Sequence, residues 1–136
     1  MLLNRKSIFL LEDDPVNFSV ILTLLRRHGA TPLHDHWGDT TLQKLKNSLE
    51  LGYTLDLILL DLMLPGNVTG YDVYDAIRAT PVLCDVPVVM VSAADPDQEI
   101  PVAKAKGFQG YISKPIHRVR FVEQLVKVIE GGEVWE

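Results

Sequence analysis

The residues with the most chemical potential stand just after short apolar runs. Glu12-Asp13-Asp14 follows Ser7 to Leu11, and Asp61 follows Asp56 to Leu60. Ser92 closes the run Val86 to Val91, and Lys114 comes soon after Gly110-Tyr111-Ile112. Carboxylates gathered within a few ångströms repel one another and raise each other's pKa unless a cation lies among them. A hard divalent cation with oxygen ligands, Mg²⁺ above all, resolves that conflict and leaves room for phosphate oxygens. A carboxylate can attack phosphorus to form an acyl phosphate. The charge that develops then calls for a cation, a hydroxyl donor and an ammonium. Asp61, Ser92 and Lys114 are the chemical types for that task. Each alone is an ordinary turn or cap residue, Asp at a helix start included. Four successive run ends bearing this chemistry are not ordinary.

The elements that must position these residues alternate in type. The near-continuous apolar runs read as strands buried on both faces, with Thr31 to His36 the weakest of five. Helical spacing follows each. It runs from Pro15 through Val16, Val20, Ile21, Leu24 and Leu25, with Gly29 as the stop, and recurs at Leu42, Leu45 and Leu49 before Gly52. Val73, Tyr74 and Ile77 mark a third helix. Gln98 to Lys106 is a weaker fourth, with Pro101 expected in or near its first turn. Val119, Val122, Leu125, Val126 and Ile129 form the fifth, stopped by Gly131-Gly132. Five β–α units imply an α/β fold with a parallel sheet, right-handed crossovers and helices on both faces. Such folds carry their chemistry at the carboxyl ends of the strands, where it falls here.

Composition narrows the function classes. The chain has 136 residues, 47% hydrophobic and 23% charged, with a net charge of −5. That length suits a single domain spanning 1–136 with a core of its own. An acidic domain lacks the electrostatic footprint for nucleic acid, and no basic cluster points to a membrane surface. The apolar runs are too short to span a bilayer, and Met1 to Ser7 is not signal-like. A cytoplasmic location is expected. Cys84 is the only cysteine, so neither an internal disulfide nor a Cys-based zinc site can form.

The sequence resembles the receiver domains of two-component response regulators over essentially its whole length, in particular the stand-alone, chemotaxis-regulator-like members. The matching segments are Phe9-Leu10-Leu11-Glu12-Asp13-Asp14-Pro15-Val16-Asn17, Asp56 through Gly66, Val88-Val89-Met90-Val91-Ser92-Ala93, and Gly110-Tyr111-Ile112-Ser113-Lys114-Pro115. The resemblance implies a flavodoxin-like, doubly wound (βα)5 receiver fold, with five parallel strands in the order 2-1-3-4-5. It implies that Asp61 is the phospho-acceptor. Mg²⁺ would be held by Asp13 directly, Glu12 through water, Asp61, and the backbone carbonyl of Met63. Ser92 would be the switch hydroxyl, Lys114 the lysine that pairs with the phosphoryl group, and Tyr111 the aromatic switch residue. Asp14 would cap the first helix, and Lys114-Pro115 is a bond often cis in this family.

The function so implied is phosphorelay signalling rather than enzymology on external substrates. A sensor histidine kinase or histidine phosphotransfer protein would supply the phosphoryl group to Asp61 in a Mg²⁺-dependent reaction. The surface of the fourth helix, fifth strand and fifth helix would then switch its binding of a downstream protein target, or of a second copy as a homodimer. No output module follows the fifth helix in this sequence, so the expectation is either a stand-alone receiver, which would act by protein contact, or one excised from a longer protein. Two departures from the family pattern stand out. The stretch from Asp61 to Gly70 carries one extra residue, and Thr69 replaces the usual acid. The segment around Glu50 to Thr54 is also a few residues long. Met63 and Ala94 flank the position of the attacking water in the family and cannot orient it, so self-dephosphorylation should be slow.

Other readings fit less well. A pseudo-receiver would normally have lost one of the acids, the hydroxyl or the lysine. A haloacid-dehalogenase-type phosphatase places a second Asp two residues on, where Met63 stands. A flavin carrier needs phosphate-binding donors where Glu12-Asp13-Asp14 would repel phosphate. His34 and His36 alternate on a strand but have no third ligand in view, and read as solvated strand-end residues. His28 and His117 read as surface residues at helix ends. Trp37 and Trp135 read as packing or partner contacts. Arg118, Arg120 and Lys127 read as a solvated helix face, in a region some family members use for dimer salt bridges.

Overall fold

A computed structural model describes all 136 residues. The strands are β1 (Ser7–Leu11), β2 (Thr31–Asp35), β3 (Leu57–Leu60), β4 (Val88–Ser92), β5 (Gly110–Ser113) and β6 (Val134–Trp135). The helices are α1 (Pro15–Arg27), α2 (Gly38–Glu50), α3 (Gly70–Arg78), α4 (Pro96–Lys106) and α5 (Arg118–Ile129). Every strand pairing is parallel, and the sheet order is β2-β1-β3-β4-β5-β6. The fold is thus α/β and flavodoxin-like, and its inner strand order is the expected one.

Alternation along the strands divides the core. Ile8 and Leu10, Leu57 and Leu59, Val89 and Val91, and Ile112 pack with Phe121, Val122 and Leu125 of α5 and with Ile21, Leu24 and Leu25 of α1. Phe9 and Leu11, Ile58 and Leu60, Val88 and Met90, and Tyr111 pack with Leu45 of α2, Val73, Tyr74 and Ile77 of α3, and Ala103 of α4. Because both faces are covered, the central strands need apolar residues at every position, which is why they read as continuous runs. Edge strand β2 is only partly buried, with Thr31 and His34 exposed, and tolerates Pro32. No helix is long and apolar enough to cross a membrane.

Three expectations need correction. The sheet has six strands, not five. Gly131 (φ 99°) turns the chain after α5, and Val134 N–H donates to the Gln109 carbonyl while Glu136 N–H donates to the Tyr111 carbonyl. These bonds satisfy the edge of β5, at which Gly110 lets the Val134 carbonyl approach to 2.7 Å of where a Cβ would stand. Helix α4 starts at Pro96 rather than near Gln98, with Asp95 as its cap, so Pro101 lies inside the helix rather than in its first turn. The helix keeps this proline while burying only Ala103, a light packing demand. Finally, His36 is half-buried and its ring is bonded to the main chain rather than solvated.

Candidate metal and phospho-acceptor site

The parallel sheet delivers the site. Strands β1, β3 and β4 end side by side, so Glu12-Asp13, Asp61 and Ser92 leave the sheet along one edge, and the loop after β5 adds Lys114. Asp14 caps α1, its carboxylate accepting from Asn17 N–H at 3.1 Å, and Pro15 follows at the start of the helix. The chain therefore turns away sharply after the acidic pair.

One carboxylate oxygen from each of Glu12, Asp13 and Asp61 lies within 4.8 Å of the others. Glu12 and Asp61 are buried, 1% and 6% exposed, while Asp13 is open to solvent. The Lys114 ammonium reaches in and donates both to Glu12 Oε1 and, at 3.1 Å, to Asp61 Oδ2. Burial first, then the neighbouring Asp61, push the Glu12 carboxyl up to about 7 against the pull of Lys114. Burial alone would lower the Lys114 pKa, but Glu12 and Asp61 outweigh it and hold it above its ordinary value. One ammonium thus meets two of the three clustered carboxylates, and Asp13 is left without it. Three hard oxygen donors with a deficit of positive charge are the donor set that Mg²⁺ fits.

Ser92 is fully buried, and its Oγ accepts from Ala94 N–H at 3.1 Å. Tyr111 is fully buried too, and its hydroxyl donates to the Ala94 carbonyl at 3.0 Å. Ala94 therefore links the two expected switch residues through its own peptide groups. Lys114 N–H donates to the Ser92 carbonyl at 2.9 Å, tying the lysine loop to the end of β4, and the Lys114-Pro115 bond is cis. Met63 donates its N–H to Asp61 Oδ1 at 3.4 Å, and its side chain is 68% exposed. The structure thus brings Glu12, Asp13, Asp61 and Lys114 together at the carboxyl end of the sheet, and joins Ser92 and Tyr111 through Ala94 beside it.

The unusual loop is pinned at both ends. Met63 and Thr69 form a β-bridge, Gly70 N–H donates to the Leu62 carbonyl at 2.9 Å, and Gly66 turns with φ 78°. Residues 64–68 thus form a closed excursion between two pinned ends. Thr69, standing where an acid was expected, caps α3, its hydroxyl accepting from Asp72 N–H while Asp72 accepts from Thr69 N–H.

Two further residues at this end leave little signal in the sequence. Asp35 is a fully buried carboxylate at the end of β2 that accepts from Thr40 Oγ1 (2.7 Å), Thr41 Oγ1 (3.0 Å), Lys44 Nζ (3.0 Å) and His36 N–H (2.8 Å). Burial would raise its pKa, but these donors together hold it below the usual carboxylate range. The ring of His36 lies 2.9 Å from the Glu12 carbonyl oxygen. An acid five and six residues before two threonines is the one local clue to Asp35; nothing local points to His36.

Comparison with known proteins agrees with this geometry. Residues 8–126 match the family model described as the response regulator receiver domain. The sequence is 32% identical over 128 residues to the sensory transduction protein RegX3 of Mycolicibacterium smegmatis, covering 93% of this chain and 51% of that protein. It is 30% identical over 120 residues to the polar-differentiation response regulator DivK of Brucella ovis, covering 88% of this chain and 93% of that one. The chain thus spans about half the length of the RegX3 proteins it matches, but nearly all of DivK. Among solved structures, the receiver domain of sensor histidine kinase PA1611 from Pseudomonas aeruginosa, with a magnesium ion coordinated in its active-site cleft, superposes with a TM-score of 0.77 at 28% identity. That match covers 93% of this chain and 99% of the other.

Proposed function

The chain belongs to the response regulator receiver family, and on that premise we propose that Asp61 is its phospho-acceptor, in one receiver domain spanning 1–136. One observation carries the reading: the buried Asp61 carboxylate is at once bonded to Lys114 and clustered with Glu12 and Asp13. A buried carboxylate fixed by a single ammonium keeps a lone pair for attack on phosphorus. An Oδ of Asp61 forms the new P–O bond as the P–N bond of a donor phosphohistidine breaks, and the imidazole, already protonated on its other ring nitrogen, leaves neutral. Glu12, Asp13, Asp61 and the Met63 carbonyl would hold Mg²⁺, which when bound neutralises charge on the phosphoryl oxygens. Lys114 pairs with an oxygen of the transferred group, and the Ser92 hydroxyl, released from Ala94, donates to another.

The donor in this reading is a sensor histidine kinase or a histidine phosphotransfer protein, in the cytoplasm. Receiver domains are regulatory modules; this one would catalyse only its own phosphorylation and a slow dephosphorylation. The Ser92–Ala94–Tyr111 connection supports a switch that ends on the face of α4, β5 and α5, where a downstream protein would bind. A homodimer formed through that face would have to incorporate or displace β6, which is paired with β5.

Intact-mass spectrometry after incubation with Mg²⁺ and acetyl phosphate tests the assignment. A gain of one phosphoryl group, about 80 Da, is expected of an activated carboxylate nucleophile, and it should vanish in Asp61→Asn. Retention of the gain in Asp61→Asn overturns the assignment. Absence of the gain in the unaltered protein, from acetyl phosphate and histidine kinases alike, favours a pure binding module instead.

A further inference from the structure

The end of the β1–β2 ladder is resolved in an unusual way. Leu11 pairs with Asp35, and Glu12 N–H donates to the Asp35 carbonyl at 3.2 Å. In a parallel ladder the next bond would run from Trp37 N–H to the Glu12 carbonyl. That bond is missing. The Asp35 carboxylate draws in the Trp37 N–H (3.4 Å) together with the His36 N–H (2.8 Å), and the chain leaves the sheet to enter α2 at Gly38. The carbonyl of Glu12, a residue only 1% exposed, is thereby deprived of its backbone donor. A buried carbonyl in that position needs another partner.

The His36 imidazole is that partner. Its Nδ1 lies 2.9 Å from Glu12 O. A carbonyl oxygen only accepts, so Nδ1 must carry the hydrogen. The ring cannot easily swing away, because the Phe18 ring from α1 packs edge-on against it at 4.6 Å between centroids. Glu12 is thus held at its N–H by Asp35 and at its C=O by His36, while its carboxylate faces Lys114 and the acidic cluster. The direction of the Glu12 main chain sets where its side chain departs toward the 4.8 Å cluster, in which Lys114 and the Asp14 N–H (3.3 Å) meet the carboxylate.

We propose that His36 is a positioning residue for the cation site: its Nδ1–H supplies the hydrogen bond that the strand ladder fails to give Glu12, and so fixes where the Glu12 carboxylate stands relative to Asp13 and Asp61. The inference rests on the metal site proposed above. It concerns a residue just past the edge strand β2 that bonds the Glu12 main chain and is not one of the clustered acids.

The test compares the unaltered chain with His36→Ala and His36→Asn. The Asn side-chain amide sits the same number of bonds from the backbone as Nδ1, so it can restore the donor. Mg²⁺ affinity by calorimetry and Tm without metal are measured for all three. Loss of a partner that orients a metal ligand costs about 10–100-fold in affinity, and we expect about tenfold weaker Mg²⁺ binding for His36→Ala, largely regained in His36→Asn. Nitrogen-15 NMR of the unaltered protein at a pH where His36 is neutral should show Nδ1, not Nε2, as the protonated nitrogen. Unchanged Mg²⁺ affinity in His36→Ala overturns the proposal, whatever happens to Tm, because the ring would then be mere packing. An Asn variant as weak as the Ala variant, or an Nε2–H tautomer, overturns it too. An unaltered protein that takes no Mg²⁺ overturns the cation site itself, and with it this role.

Discussion

Gly70 gives the sharpest test of how the backbone carries the acceptor. It opens α3 and is buried directly beneath the start of the loop that follows Asp61. A Cβ on Gly70 would stand 2.3 Å from the Asp61 carbonyl oxygen and 3.0 Å from Leu62 Cα. Ordinary non-bonded contacts of carbon lie at about 3.5 Å, so Gly70→Ala requires a movement of about 1 Å. The obstacle is main chain on both sides, which cannot rotate aside as a side chain would. Overpacking costs typically about 1–3 kcal/mol, and the upper end applies here. An unfolding entropy of about 2.1 cal/mol/K per residue gives about 0.29 kcal/mol/K for 136 residues, so about 3 kcal/mol lowers Tm by about 10 °C. The same movement carries Asp61 and Met63 with it, and a misplacement of about 1 Å can cost about 100-fold in rate. Thermal unfolding read by circular dichroism, with the rate of phosphorylation by acetyl phosphate from intact mass, measures both effects. A Gly70→Ala protein that melts within about 2 °C of the unaltered chain would refute the packing argument. One that is destabilised yet phosphorylated at the full rate would refute the claim that this contact positions Asp61.

Lys114→Met leaves the Glu12 and Asp61 carboxylates buried without their ammonium; breaking such a pair costs about 3–5 kcal/mol, so Tm should fall by about 10 °C or more where Glu12 is charged and recover in part as pH falls and Glu12 takes up a proton, which it does more readily once the pull of Lys114 is gone. A loss that does not change with pH would contradict the assignment of the charge to Glu12. Glu12 is an acid whose folded pKa, about 7, lies above its ordinary 4.5, so its contribution to stability is full below pH 4.5 and is lost as pH rises through 7. The metal-free protein should accordingly lose Tm between pH 5 and pH 8, and Glu12→Gln should flatten that dependence; an unchanged slope in the variant would show that other groups cause it. Protons compete with Mg²⁺ for the same carboxylate, so calorimetric Mg²⁺ affinity should weaken below pH 7, by up to about tenfold per pH unit for one proton. Met63→Asn places an amide able to orient water beside the acyl phosphate and should shorten its lifetime by about tenfold, a modest share of what a positioned polar group can contribute; mass-spectrometric decay curves that coincide for the two proteins would remove Met63 from the account.

Much of the site is legible in the amino-acid sequence. Glu12, Asp13, Asp61, Ser92 and Lys114 can be singled out because each follows an apolar run, and a parallel sheet covered on both faces makes its strands legible as such runs. The cap at Asp14 is legible for a similar reason: its partner Asn17 is three residues away. Strand order comes from the resemblance to receiver domains, not from the runs themselves. Strand β6 is not legible, because Val134–Trp135 is too short to show a period and owes its existence to the unpaired edge of β5. The extent of α4 is obscured because Pro101 argues against a helix interior more strongly than Asp95 and Pro96 argue for an earlier start.

The type of fold and the chemistry of its site are written locally along the chain, since burial on both faces and the placement of acids, hydroxyl and amine after strands are patterns of neighbouring residues. How that chemistry is held is a tertiary matter. The division of the Glu12 peptide between Asp35 and His36, the reach of Lys114 across 102 positions to Glu12, and the fit of Gly70 under Asp61 all join residues distant in the chain. Such contacts leave no trace in periodicity or spacing, because a hydrogen bond or a van der Waals gap depends on where strands from different parts of the chain come to lie, which is settled only when the sheet assembles.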